Sequence, residues 1–235
     1  MNKFKNHITT TVLCAVMGIL SSDAFGQGTF QNLDFESANV PTIPSGSSGG
    51  FVPVASGLPG WNAYLGTNQQ TQVLHNSLTA GSSFVGIMGP DFSSITRIQG
   101  SYTAFLFGGV NPDIGNVDAS IGQTGTIPGA ARSIQFKTNP GHGEITIRIG
   151  GQLIPVVALQ SFSTYTLFGG DVSFFSGQVA ELRITAVSDY INHGPNAFAI
   201  DSILFSNQSV PEPSAFCLLG LGALLYCCQK SRKET

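Results

Sequence analysis

The chain has 235 residues, of which 42% are hydrophobic and only 10% charged, with 29 glycines, 12 prolines and 17 phenylalanines. Average domains carry about 25% charged residues, so a salt-bridged helical bundle is excluded, and disorder is excluded because it needs low hydrophobicity with high charge. A formal net charge of −3 provides no basic patch or stripe for nucleic acid.

Residues 1–26 read as a secretory signal peptide. Lys3 and Lys5 give a positive start, an apolar stretch runs from Ile8 to Leu20, and Ala24 and Gly26 stand at −3 and −1 of a small-residue cleavage site. The apolar stretch is shorter than the roughly 20 residues that span a bilayer. Cys14 lies inside it, which argues against lipid attachment at the mature start.

The body, residues 27–209, is polar and weakly acidic. Residues 27–210 hold five basic and ten acidic side chains, a net charge of −5, so anionic polymers gain little attraction. Cys14, Cys217, Cys227 and Cys228 all lie outside the body. Without disulfides, an exported domain must be held by its core, with a bound metal as the remaining kind of clip.

In chain order, Asn32-Leu33-Asp34-Phe35-Glu36 starts the body, and the Ser/Gly/Pro-rich segment from Pro41 to Gly60 reads as a loop. Trp61, the single tryptophan, follows Pro59-Gly60 and is expected to plug the core. The competing reading is a sugar-stacking ring beside Tyr64, Asn62, Asn68, Gln69 and Gln70. Tyr102 to Phe107 is a strand candidate. Ser133 to Lys137 alternates strictly, as does Glu144 to Ile149, where Ile145, Ile147 and Ile149 share a face. Gly150-Gly151 predicts a tight hairpin turn into Leu153-Ile154-Pro155-Val156-Val157, whose proline predicts an edge position or a bulge. Glu181 to Val187 turns Leu182, Ile184 and Ala186 inward, and Phe198 to Phe205 is the last candidate. No helical period appears outside the two termini. The fold class is therefore all-β: one antiparallel β-sandwich, flanked by an N-terminal signal helix and a C-terminal apolar helix.

The Asn-x-Asp-Phe-Glu start and the late Phe198-Ala199-Ile200-Asp201-Ser202-Ile203 resemble galactose-binding-like jelly rolls, a type found in many carbohydrate-binding modules. The resemblance implies that first and last strands lie together and that Glu36 and Asp201 supply carboxylates to a structural calcium, with Asp34 as the substitute if the strand phase differs. The plainer reading is that these acids face solvent or cap turns.

Catalytic motifs are scarce. Gly46-Ser47-Ser48-Gly49-Gly50 fits G-x-S-x-G, but a nucleophile elbow needs a strand before it and a helix after it. His75, His142 and His193 are scattered, without metal-hydrolase spacing. Catalytic carboxylates of a glycoside hydrolase have a spatial rather than sequential spacing.

Residues 210–235 form a second address. Val210-Pro211-Glu212-Pro213 precedes an apolar run from Ala215 to Cys228 and a basic end of Lys230, Arg232 and Lys233. Fourteen helical residues reach about 21 Å, short of the ~30 Å hydrocarbon core, and the basic end stays cytoplasmic. This segment resembles the PEP-CTERM sorting family. The resemblance implies transient inner-membrane insertion, an exosortase-type membrane enzyme as partner, and delivery to the cell surface, outer membrane or extracellular matrix of a Gram-negative-type bacterium that makes exopolysaccharide. Removal of the helix and its retention as an anchor are both compatible with the pattern. The function expected is a non-enzymatic surface or matrix protein with a carbohydrate-binding-like or structural body and exopolysaccharide as its candidate ligand. The alternative is a secreted carbohydrate-active hydrolase.

Overall fold

The computed structural model describes residues 27–44, 47–92, 97–139 and 143–210. Both address segments, with Ala24, Gly26, Pro211, Glu212 and Pro213, and also His142, lie outside the described residues, whereas Val210 lies within them.

Two sheets face each other. In spatial order the larger contains β1 (Gly50–Pro53), β4 (Gln72–His75), β5 (Phe84–Met88), β6 (Thr103–Asn111), β15 (Asn196–Ser206), β9 (Ser133–Thr138), β13 (Thr166–Asp171) and β12 (Val156–Ser161), with β7 (Gly115–Val117) paired to the end of β6. The smaller contains β11 (Gln152–Ile154), β10 (Glu144–Ile149), β14 (Val179–Val187), β8 (Ala119–Thr126), β2 (Asn62–Leu65) and β3 (Asn68–Gln70). Among the described pairs only β4 and β5 run parallel; the rest are antiparallel.

The expected alternation holds: Leu182, Ile184 and Ala186 are fully buried, as are Ile147 and Ile149 opposite them. Ile134, Phe136, Ile200 and Phe205 meet them from the larger sheet. A second apolar cluster of Leu74, Phe84, Met88, Phe105 and Ala199 lies apart from this core, with Phe92 and Ile98 of the segment before β6 packed against it.

Three expectations change. Asn32–Glu36 is not a strand, because Asn32 and Phe35 take positive φ values of 50° and 60° and the segment closes into turns. It does lie beside the last strand: Ile203 N–H donates to the Leu33 carbonyl, and the Phe30 and Phe205 rings stand 5.1 Å apart. The loop from Pro41 to Gly60 contains β1 and the single-turn helix α1 (Val54–Gly57). The expected strand through Pro155 is two strands, since β11 ends the smaller sheet and β12 ends the larger. A proline cannot donate to a ladder, so the chain changes sheets there. Gly150 and Gly151 form the expected turn, with φ of 56° and 82°, a conformation most side chains avoid.

Candidate functional site

Three places carry the residues singled out above. At one end of β6, Glu36 and Asp201 converge on the segment Gln99–Thr103. Asp201 is almost fully buried. Its Oδ2 accepts from Gln99 N–H at 3.1 Å and from the Thr103 hydroxyl at 2.9 Å, while its Oδ1 accepts from Ser202 N–H at 2.6 Å. The β15–β9 register shifts between Asp201 and Leu204, and this bulge frees Ile203 N–H to bond Leu33. Glu36 accepts from Ser101 N–H and Tyr102 N–H, each at 2.9 Å. Gly100 makes this possible: φ is +62°, and a Cβ there would stand 2.4 Å from Glu36 Oε1.

Sequence reasoning placed this carboxylate pair on one structure, and the fold does bring both to one segment. The groups turned towards them are N–H and O–H donors, the set that suits an anion, whereas calcium needs six to eight oxygens. Both carboxylates are thus engaged by donors of the chain itself, and among the described residues no three His, Cys, Asp or Glu gather. Asp34 uses its carboxylate locally, accepting from Glu36 N–H at 3.3 Å. Burial pushes the Asp201 carboxyl up to about 6, against the opposing pull of the Thr103, Gln99 and Ser202 hydrogen bonds.

Trp61 occupies the second place. It is 4% exposed, its ring is 5.7 Å from Phe35, and its Nε1–H donates to the Asn32 carbonyl at 3.0 Å. It is a core residue. Tyr64, on the opposite phase of β2, instead lies under the Arg183 guanidinium, 4.0 Å from its ring centre, and Arg183 is paired to Glu181 at 2.8 Å.

The third place includes Asn68 and Gln70, two amides that the sequence suggests as sugar contacts beside Trp61, but the fold sets them in a recess away from that ring. β6 is nine residues long, so its far end lies about 26 Å from Thr103 at ~3.3 Å per residue. There a cleft of about 280 Å³ opens between the β6–β7 hairpin and edge strand β3. β3 continues the inward phase of β2: Ala63 pairs Gln70 and Leu65 pairs Asn68. Amides therefore occupy positions that would be apolar deeper in the sandwich. Hydrophobic alternation could not reveal the cleft, because it forms from the ends of separate strands.

The remaining candidates stay apart. Ser47 to Gly49 precede edge strand β1 in irregular chain, the wrong setting for a nucleophile elbow. His75 is buried at the end of β4, and His193 is exposed, closing α2 (Tyr190–His193) and paired to Asp189. Among the described residues, the only buried side-chain nitrogens or oxygens without a partner are His75 Nδ1, Asn76 Nδ2 and Arg97 Nε. Their neighbourhood is the Gly89 turn, where Asn76 Oδ1 accepts from Gly89 N–H and Arg97 donates to the Gly89 carbonyl.

Comparison with known proteins finds the PEP-CTERM protein-sorting motif at residues 209–233. No curated protein matches the chain. Among solved structures, the chain is similar to a family 11 carbohydrate-binding module from Clostridium thermocellum at 11% identity and TM-score 0.33, covering 67% of this chain and 95% of that one. It is also similar to a β-glucosidase from Kluyveromyces marxianus at 11% identity and TM-score 0.31, covering 77% of this chain and 18% of that one. The chain thus spans under a fifth of the β-glucosidase it matches. The chain carries a PEP-CTERM motif, the mark of an exported protein sorted at the membrane.

Proposed function

We propose that this is a cell-surface or matrix protein, handed over by an exosortase-type enzyme, whose β-sandwich is a non-catalytic, carbohydrate-binding-like module. The observation that carries the reading is how the motif joins the body. β15 ends at Ser206 and the motif begins at 209, so no flexible linker intervenes. Ser133 Oγ donates to the Gln208 carbonyl at 2.7 Å, and a Val210 methyl packs at the Gly169 position of β13. The cargo of the sorting signal is therefore the rigid sandwich itself.

Support for a non-catalytic body comes from the carboxylates singled out above: Glu36 and Asp201 hold main-chain N–H groups of the segment before β6. Support for carbohydrate as ligand comes from an uncharged recess in a weakly charged body.

Intact-mass spectrometry of protein extracted from the cell surface tests the sorting part. The surface form is expected to lack Thr235, and Glu212→Ala to leave full-length precursor in the inner membrane. Surface protein that keeps Thr235 would show an uncleaved anchor.

A further inference from the structure

We infer that the cleft beside the β6–β7 hairpin binds an uncharged polyhydroxylated ligand, a neutral sugar unit. The inference rests on the carbohydrate-binding reading above and assigns it a place and a ligand class.

None of the residues lining the cleft is charged. Its polar wall is Asn68, Gln70, Ser82, Ser83 and Asn111. Ser83 is committed within the protein: its hydroxyl accepts from Gly109 N–H at 3.0 Å and donates to the Val117 carbonyl at 2.7 Å, fixing β5, β6 and β7 together. The others keep capacity in hand. Gln70 donates Nε2 to the Asn68 carbonyl and Asn111 accepts Asp113 N–H, which leaves Gln70 Oε1 and Asn111 Nδ2 uncommitted among the described residues. Among the described residues, the Asn68 amide and the Ser82 hydroxyl make no hydrogen bond either.

The free groups are thus a mixture of donors and acceptors, and this selects the ligand. A sugar hydroxyl both donates and accepts, so it satisfies an amide on either side. A carboxylate or phosphate would use only the donors and would enter without a counter-charge, into a body of net charge −5. A purely apolar ligand would desolvate four polar groups and pair none. Leu65, Val110 and Ile114 supply apolar surface for the C–H faces of a sugar ring, Ile114 being 70% exposed at the rim. No aromatic ring lines the cleft, so single-site affinity is expected to be weak, with tight retention coming from many copies on one polymer.

Affinity electrophoresis of the full chain in mild detergent tests this, with gels containing a neutral glucan, a neutral galactomannan or a polyuronate. Retardation is expected in at least one neutral gel and absent with the polyuronate. The exposed double variant Asn68→Ala/Asn111→Ala should weaken it about tenfold, the effect of roughly two hydrogen bonds at the low end of their range. Ser82→Ala, melting like wild type, should weaken it by a smaller factor. Unchanged retardation in both variants would overturn the cleft as the site while leaving carbohydrate binding standing. Retardation by the polyuronate that these variants abolish would overturn the neutral class. No retardation in any gel would overturn the carbohydrate reading and this inference with it.

Discussion

Trp61 shows how one side chain can serve two layers of the fold. Its ring packs on Phe35 and its N–H ties β2 to the N-terminal segment through Asn32. Trp61→Ala should cost about 3–5 kcal/mol in denaturant melts, through lost burial and a cavity. Trp61→Phe should recover most of that loss, less about 1 kcal/mol for the missing hydrogen bond. Asp201 makes a different prediction. Its folded-state pKa of about 6 lies above the unfolded value of about 3.9, so between these values the folded state binds more protons. The contribution of this group to stability is therefore greatest below pH ~4 and falls as pH rises through 6. His75 acts oppositely: burial, partly offset by Asp91, lowers its pKa, so acid favours the unfolded chain. Comparing thermal melts of wild type and Asp201→Asn between pH 5 and 7 separates the two. The wild type should gain stability relative to the variant as pH falls, and a constant difference would disprove the shift.

Among the elements, the segment before β6 is set by its partners more than by its own sequence. Glu36 holds the N–H groups of Ser101 and Tyr102, and Asp201 holds that of Gln99. Glu36→Ala should speed amide hydrogen exchange at Ser101 and Tyr102 while the β6 amides beyond Thr103 stay protected. Gly100→Ala should have the same local effect, since its Cβ would meet the Glu36 carboxylate in a left-handed backbone conformation. A chelator should leave the melting temperature of the intact protein unchanged. A fall that calcium reverses would show that the carboxylates release their donors to bind an ion.

Across the whole molecule, the termini of the body close the sandwich. Residues 27–37 reach β15 through Leu33 and Phe30, and reach β8 through Gln123, whose amide bonds both the N–H and the carbonyl of Gln31. These contacts join positions 92 to 175 residues apart, so closure must await the synthesis and placement of the last strand. Deleting residues 27–37 should uncover Ile203 and Phe205, leave Trp61 without its acceptor, and lower the midpoint of unfolding by more than Trp61→Ala alone. Reductants should leave the stability of the body untouched, because it contains no cysteine.

The alternating strands, the Gly150-Gly151 turn, the burial of Trp61 and the sorting address were legible in the chain before folding was considered. Each is written in neighbouring residues: a period of two, a glycine pair, a lone indole after a turn, and a motif followed by apolar and basic runs. The jelly-roll resemblance makes Asn32–Glu36 a first strand, whereas contact with β15 and Trp61 stabilises positive-φ turns at Asn32 and Phe35 instead. Glu36 and Asp201 meet one segment before β6, and what they hold depends on the direction of N–H groups there, which no spacing encodes. The change of sheet at Pro155 depended on the two edges lying side by side. The cleft depended on tertiary structure, because Asn68 and Gln70, suggestive in the sequence only as neighbours of Trp61, meet Ser82 and Asn111 only when strand pairing places the ends of β3, β5 and β6 around one recess.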